Sequence, residues 1–296
     1  MSAQLDSYLG QAWQRWDLLV GDDGASEQDL AVLSRFRRIA GPLGHQVEIR
    51  QGPRRGFACN YLTMLRDLPP DTDFVALSDQ DDIWLAPKLE RAVRALGQVE
   101  GPGLYCGARL IWDPVRNTRR SSRPLRGGPS FHNALVENIA CGNTIVLNRA
   151  ALHLIQRGLA LTDIALTDAV PFHDWWIYLL ISGAGGHVLH DPDPQVLYRQ
   201  HPGNALGAGE AGWNWIRARR DVSEGVYRDR LERNLVAISA QRWLLTSAHQ
   251  DLLDRFIAAR RAPWPLRLRL IAGLGLYRQD ALSQLGLWGA IAFARL

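Results

Sequence analysis

Apolar positions change their period along the chain. Leu5, Tyr8, Leu9, Ala12 and Trp13 recur at helical spacing, and the short apolar run of DLLVGDDGAS then breaks into polar residues, as at the end of a strand. Ser26 is placed to cap EQDLAVLSRFRRIA, whose acidic first turn suits a helix N-terminus. The alternation continues. HQVEIRQ reads as a strand, FACNYLTMLRDL as a helix, DFVALSDQDD as a strand and its end, and APKLERAVRALGQV as a helix opened by Pro87. GLYCGARLIW is a further strand, NTIVLNRAALHLI a strand turning into a helix, and HDWWIYLLISGAGGHVLH a helix, a glycine-rich break and a strand. Residues 113–130, rich in Arg, Ser, Pro and Gly, read as a long loop. Beyond residue 209 only helical patterns follow. Strands alternating with helices predict an α/β fold: a mixed, mostly parallel sheet flanked by helices, with a helical C-terminal region. The expected units are residues 1–209 and 210–296, without internal repeats.

Composition narrows the setting. The 296 residues, 47% of them hydrophobic, suffice for one large domain with an appendage. Cys59, Cys106 and Cys141 are odd in number and far apart, which argues against a disulfide framework or a thiolate zinc site and for a reducing compartment. The first residues lack the basic and apolar regions of a signal peptide, and no apolar stretch approaches the roughly 20 residues that span a bilayer. A cytoplasmic protein is expected. The net charge of +4 hides an asymmetry: residues 211–296 hold 14 Arg and no Lys against 7 acidic residues, leaving the first 210 residues at −3. No nucleic-acid motif accompanies this basic end, so nucleic acid is not an expected partner. Its last stretch, PWPLRLRLIAGLGLYRQDALSQLGLWGAIAFARL, interleaves Arg with Leu, Ile and Trp. That pattern suits peripheral contact with an anionic membrane surface; packing of these helices on the rest of the protein is the other reading.

Two acidic clusters carry the candidate chemistry: Asp22 and Asp23 in LLVGDDGAS, and Asp79, Asp81 and Asp82 in ALSDQDDIW. Each follows a strand. In an open parallel sheet ligands gather outside the carboxyl ends of strands, so both clusters are expected to face one crevice. Asp-x-Asp suits a hard divalent cation, Mn²⁺ or Mg²⁺, whose remaining coordination phosphate and water complete. A solvated turn is the alternative for either cluster, and for Asp22 and Asp23 it is an Asx-type turn closing before Gly24.

SDQDDIWLAPKLE together with VGDDGAS, GFACN, CGNTIVLNR, HDWW and YRQHPGN, in that order, resembles glycosyltransferase family 2, especially its bacterial rhamnosyltransferase-like members, from about Leu5 to Gly207. The resemblance implies a GT-A fold and transfer of a sugar from a nucleoside-diphosphate sugar to a glycan or lipid-linked acceptor. It also implies inversion in one displacement, and use of a divalent metal. Matched residue by residue, Asp22 and Asp23 belong near the nucleotide, with Gly56 and Asn60 beside them. Asp79 matches a ribose contact and Asp81 a metal ligand, with Asp82 supporting from behind. Arg199 and His201 match the diphosphate and metal side. Asp174 matches the catalytic base, a role compatible with capping the helix that it opens. Gly142, Asn143, Trp175 and Trp176 match the acceptor side; for the tryptophans a core position remains the other reading. His173, His187 and His190 read as structural.

One departure is consequential. The family begins with a central strand ending in a Thr-Tyr-Asn-like turn, and this sequence starts beyond both. Three outcomes satisfy the backbone of its neighbours: they close ranks, another chain fills the gap, or the true start lies upstream, which is the expected one. The alternative function is a non-catalytic sugar-nucleotide-binding remnant or scaffold.

Overall fold

The computed structural model describes residues 1–160, 170–200 and 225–292. Helix α1 (Ser2–Leu9) leads to strand β1 (Leu18–Asp22), α2 (Glu27–Ala40), β2 (Val47–Gln51) and α3 (Phe57–Arg66). Ser26 caps α2 as its sequence predicts: the Asp29 N–H donates to the Ser26 hydroxyl, and the Asp29 carboxylate accepts in return from the Ser26 N–H. Strands β1 and β2 pair in parallel as a sheet of their own.

The second sheet contains β3 (Phe74–Ala76), β4 (Ile83–Trp84), β5 (Gly103–Asp113), β6 (Thr118–Ser121), β7 (Val146–Asn148) and β8 (His187–Arg199). Its order is β3-β7-β5-β8-β4, with β6 paired to β5. Helices α4 (Lys88–Leu96), α5 (Phe131–Ala134), α6 (Arg149–Ala160) and α7 (His173–Gly183) connect and cover these strands. The expected mixed α/β sheet is present, with parallel pairing confined to β1/β2 and β5/β8; the β3/β7, β5/β7, β4/β8 and β5/β6 ladders are antiparallel. Alternation of strand and helix identifies elements but does not fix the direction of three-residue strands such as β3 and β7. The expected loop at 113–130 also opens differently. Asp113 accepts the N–H groups of Val115 and Arg116, and this tight turn folds the chain back as β6.

Buried except at Asp174, α7 lies at the centre of the larger apolar cluster. The C-terminal helices α8 (Val226–Ala240), α9 (Ser247–Arg261), α10 (Leu266–Ala272) and α11 (Ala281–Ala292) contribute Leu235, Phe256, Ile271 and Ile291 to that same cluster. Polar ties reinforce it: Tyr227 donates to the Val136 carbonyl at 2.8 Å, and the Asn133 amide to the Tyr277 carbonyl at 3.0 Å. The C-terminal helices therefore share their core with the α/β layer, while the expected boundary at 209/210 falls outside the described residues. A smaller cluster, with Tyr8, Phe36 and Trp84 at its centre, joins α1, α2 and β2.

Strands β1 and β3 end their respective sheets and share no ladder. Every residue of both strands is only half-buried, although Leu-Leu-Val and Phe-Val-Ala are runs that ordinarily fill a sheet interior. Helix α3 ties their carboxyl ends together. The Asn60 amide donates to the Gly21 carbonyl at 2.8 Å, and the next residue, Tyr61, donates to the Ser78 carbonyl at 2.6 Å.

Candidate active site

The carboxyl ends of β1 and β3 open on one cavity of about 1760 Å³, and Asp22, Asp23, Asn60, Asp79, Asp81, Gly142, Asn143 and Asp174 all line it. Both acidic clusters face one crevice, as expected from their positions after strands.

On the β1 side the carboxylates organise backbone. Asp22 Oδ1 accepts the N–H groups of Gly24 (2.9 Å) and Ala25 (2.6 Å), which hold its pKa below the ordinary carboxylate value. This is the Asx-type turn, so one oxygen of Asp22 is engaged before any ligand arrives. Asp23 reaches across to the loop before α3 and accepts the N–H groups of Arg54 and of Gly56, the latter at 3.0 Å. Gly56 takes φ +91 at the start of α3, a conformation that favours glycine. Gly56 therefore anchors the loop through its N–H rather than lining the cavity. Asn60 does line it, and its Oδ1 has no hydrogen-bond partner among the described residues.

On the β3 side the carboxylates are withdrawn from water. Desolvation raises the pKa of Asp79, opposed by His173 and by the hydroxyl of Tyr61 at 3.0 Å, and reinforced by the negative charges of Asp81 and Asp174. Asp82 is fully buried; its Oδ2 accepts from the Asn143 amide, and burial lifts its pKa to about 7. Lys88 is buried beside it. Its ammonium lies 4.1 Å from the centre of the Trp84 ring without a hydrogen-bond partner among the described residues, and burial lowers its pKa to about 7 against the attraction of Asp82. Asp82 thus joins this loop to Asn143. Arg199 serves the same loop: its Nε donates to the Asp81 carbonyl at 3.3 Å, and its guanidinium lies 4.8 Å over Trp112. His201 lies outside the described residues.

Asp174 stands in the first turn of α7, where its carboxylate accepts the N–H groups of Trp175 (2.7 Å) and Gly142 (3.0 Å). Burial raises its pKa; these bonds, the Asn138 side chain and Arg109 oppose the rise. A carboxylate so held is a base of more than ordinary strength. Trp175 and Trp176, expected as an acceptor platform, are core residues instead. Both are buried, and the Trp175 indole donates to the Ala134 carbonyl at 2.8 Å. A sugar cannot stack on a ring already enclosed by protein. Asn143 is likewise buried against Asp82, which makes it a strut between the two loops.

Three contributors have no signal of their own in the sequence. Tyr61 secures Asp79. His173 stacks on Tyr61 with centroids 4.0 Å apart, is buried, and has its pKa lowered to about 4 by desolvation. Arg109 supplies positive charge on the cavity wall near Asp174. Only the adjacency of Tyr61 to Asn60 and of His173 to Asp174 pointed towards the first two.

No three His, Cys, Asp or Glu side chains converge as a metal cage among the described residues. A nucleotide-bound Mg²⁺ needs only one or two carboxylates, with phosphate and water completing its shell, and Asp81 on the cavity wall fits that donor set.

Gly142 gives this geometry a direct check. A Cβ there would stand 3.0 Å from His173 Nε2 and 3.6 Å from the Asp174 Cβ, and buried His173 has little room to yield. Gly142→Ala should destabilise the fold by about 1–3 kcal/mol in denaturant unfolding, the scale of overpacking. Adding His173→Ala should restore most of the loss. A single variant as stable as the parent would show that the contact is relaxed in solution.

A profile of glycosyl transferase family 2 matches residues 3–153, which span α1 through the first turn of α6 and include both acidic clusters. A dTDP-rhamnosyl transferase, RfbG of Shigella flexneri, is 23% identical over 206 residues, covering 69% of this chain and 70% of that protein. With the carboxylates of two strand ends and of the α7 start gathered on one cavity, and a family match over half of the sequence, the chain belongs to glycosyltransferase family 2 and is a glycosyltransferase.

Proposed function

We propose that the protein transfers a sugar, with rhamnose the first candidate, from a nucleoside-diphosphate sugar to a glycan or glycolipid acceptor. The transfer inverts the anomeric centre and depends on a divalent metal. The rhamnose assignment is supported by the name of the Shigella relative and by the motif resemblance. The observation that carries the mechanism is the placement of Asp79 and Asp174 on one cavity, close enough for the charge of Asp174 to bear on Asp79.

In this reading Asp79 and Asn60 face the nucleoside, and Asp81 holds the metal together with the donor's diphosphate. Mn²⁺ or Mg²⁺ held by Asp81 would offer Lewis-acid stabilisation to a leaving nucleoside diphosphate. Asp174 accepts the proton of the acceptor hydroxyl as its oxygen bonds to the anomeric carbon and the glycosidic phosphate oxygen departs. Gly142, Trp175 and Asn138 fix the Asp174 carboxylate and Tyr61 fixes that of Asp79, so neither has to be oriented at the moment of reaction. His201 and Arg199 are proposed for the diphosphate side.

Peripheral attachment to the cytoplasmic face of a membrane, beside a lipid-linked acceptor of cell-surface polysaccharide assembly, belongs to the same proposal. No helix among the described residues is long and apolar enough to cross a bilayer. Although the C-terminal helices bury one side in the core, Trp264, Leu266, Leu270, Leu282 and Leu285 stay exposed in the Arg-rich region. Full-length protein should co-sediment with anionic vesicles at low salt and less so at high salt, because polybasic attraction is screened. Equal sedimentation with neutral vesicles would remove the electrostatic part.

The discriminating experiment mixes purified protein, Mn²⁺ or Mg²⁺, and a panel of sugar nucleotides, and reads released nucleoside diphosphate with and without acceptor lipid. Asp81→Asn should nearly abolish metal-dependent donor binding with the fold intact; unchanged affinity by calorimetry at saturating metal would remove Asp81 from the metal site.

Asp174→Asn should lower kcat by about 10²-fold or more while donor affinity hardly changes, as expected for a general base. Because the base must be deprotonated, kcat/KM should rise with pH through a limb lying above the ordinary carboxylate value, and that limb should vanish in the variant. Parallel loss of donor affinity and rate would leave Asp174 a helix cap only.

A further inference from the structure

We infer that the turn between α10 and α11, residues 277–279, positions the base Asp174 by way of Glu137 and Asn138; the inference rests on the base role proposed for Asp174. The family match ends at residue 153, ahead of this turn. Three consecutive residues of the turn hold the chain that leads into the cavity wall. Gln279 Oε1 accepts the N–H groups of Arg126 (3.0 Å) and Gly127 (2.8 Å). The Tyr277 hydroxyl donates to the Gly128 carbonyl and shares a hydrogen bond of 2.7 Å with Ser130 Oγ. The amide of Asn133 divides its two hydrogens between the Tyr277 carbonyl and Glu137 Oε2, each at 3.0 Å. Glu137 closes the series: Oε2 also accepts the Gln279 N–H at 2.7 Å, and the Arg278 guanidinium stands 3.7 Å from Oε1. Residues 126–137 are thus fastened at both ends to one turn of the C-terminal region.

Glu137 is where this fastening meets the site. Its neighbour Asn138 lines the cavity and donates to Asp174. Asn138 Oδ1 accepts the Ala140 N–H at 3.0 Å, which leaves the amide NH₂ as the group that the carboxylate receives. The other two donors have separate supports. Trp175 N–H belongs to the helix of the base itself, and Gly142 N–H to the loop that Asn143 ties to Asp82. Asn138 is therefore the donor whose aim depends on the C-terminal turn.

Aim matters because a base must point a lone pair at the acceptor hydroxyl, and misplacement by about 1 Å costs on the order of 10²-fold in rate. Among the described residues Asp174 also faces Arg109 on β5, Asp79 beyond β3 and His173 on its own helix. These three stay in place when Glu137 or Asn138 is changed, so a change in Asp174 reports the donor that is lost. The turn joins the two helices that expose Leu266, Leu270, Leu282 and Leu285. The surface proposed for membrane contact and the base accordingly share one support.

The test uses the full chain carrying Glu137→Ala, Glu137→Gln or Asn138→Ala. Glu137→Ala should lower kcat about ten- to a hundredfold with the KM values of donor and acceptor nearly unchanged. Glu137→Gln, whose side-chain oxygen still accepts from Gln279 and Asn133, should recover most of that rate. The Asp174 carboxyl, followed by ¹³C NMR and assigned with Asp174→Asn, should titrate at higher pH in Glu137→Ala, since a lost donor no longer favours the charged form. Asn138→Ala should move it the same way, and the double variant no further than Asn138→Ala alone. The inference fails if Glu137→Ala leaves the titration unchanged, or if the two shifts add. It also fails if KM rises in step with the fall in kcat, as general loosening would produce, or if kcat holds in Glu137→Ala while Asp174→Asn loses it. Should Glu137→Ala not fold, Gln279→Ala decides: a smaller shift of the same sign is expected, and no shift overturns the inference. The NMR titration needs no sugar transfer. Full kcat in Asp174→Asn would count against the base role, and the titration would still judge whether the turn holds that carboxylate.

Discussion

Removing carboxylates from water is the constraint around which this molecule is arranged. Asp79, Asp82 and Asp174 all have pKa values raised first by desolvation, and the charge of Asp174 adds to the burden on Asp79. Without donors directed at them, three such groups around one cavity would protonate or push the loops apart. Each has its own restraint. Asp79 has the Tyr61 hydroxyl, Asp82 has Asn143 and the nearby Lys88 ammonium, and Asp174 has two backbone N–H groups at a helix start. Most of these are neutral donors. They orient the carboxylates but leave most of the negative charge in place.

The restraints also connect the two halves of the site. Asn143 and Gly142 are consecutive, yet one is bonded to Asp82 behind the Asp-x-Asp loop and the other to Asp174 at the start of α7. A shift of either loop therefore moves both Asp82 and Asp174. His173 fills the space that a side chain at position 142 would need and stacks on Tyr61, which bonds Asp79, so a second path runs between the same two groups. Neither path involves a long or flexible side chain. The geometry of the pair Asp79 and Asp174 is consequently set by packing, at little cost in conformational entropy.

Much of this was legible in the sequence, because local patterns encode it. The strands at LLVGD and FVA, the Ser26 cap, the helix beginning at HDWW and the convergence of two acidic clusters all follow from period and position. What could not be read depends on contacts between distant elements. Asp22 and Asp23 show acidity in sequence, but only the fold reveals that one closes a turn and the other spans to Arg54 and Gly56. Trp175 and Trp176 directly follow Asp174, yet on a helix buried everywhere but at Asp174 they point into the core. Lys88 looks like an ordinary surface lysine beginning an amphipathic helix, and its burial against Trp84 and Asp82 is a tertiary fact. The antiparallel pairing of β3 and β7 was hidden for a similar reason, since three residues carry no record of direction.

Helix α3 gives the gap between the sheets a functional meaning. Asn60 and Tyr61 are neighbours in sequence and grip opposite banks, the carbonyl of Gly21 and that of Ser78. The grip is at the carboxyl ends, where the nucleotide is proposed to sit, while the strands behind it share no ladder. The separation of the banks is therefore held at one end by two side chains and along its length by nothing in the sheet itself. Gly21 shows how close the grip is: a Cβ there would meet the Asn60 amide at 2.5 Å. Splaying of β1 from β3 would be felt first by Asp79, whose hydroxyl partner sits on the same helix as Asn60. The sheet edge and the carboxylate pair are thus one mechanical problem, because the same helix α3 holds both.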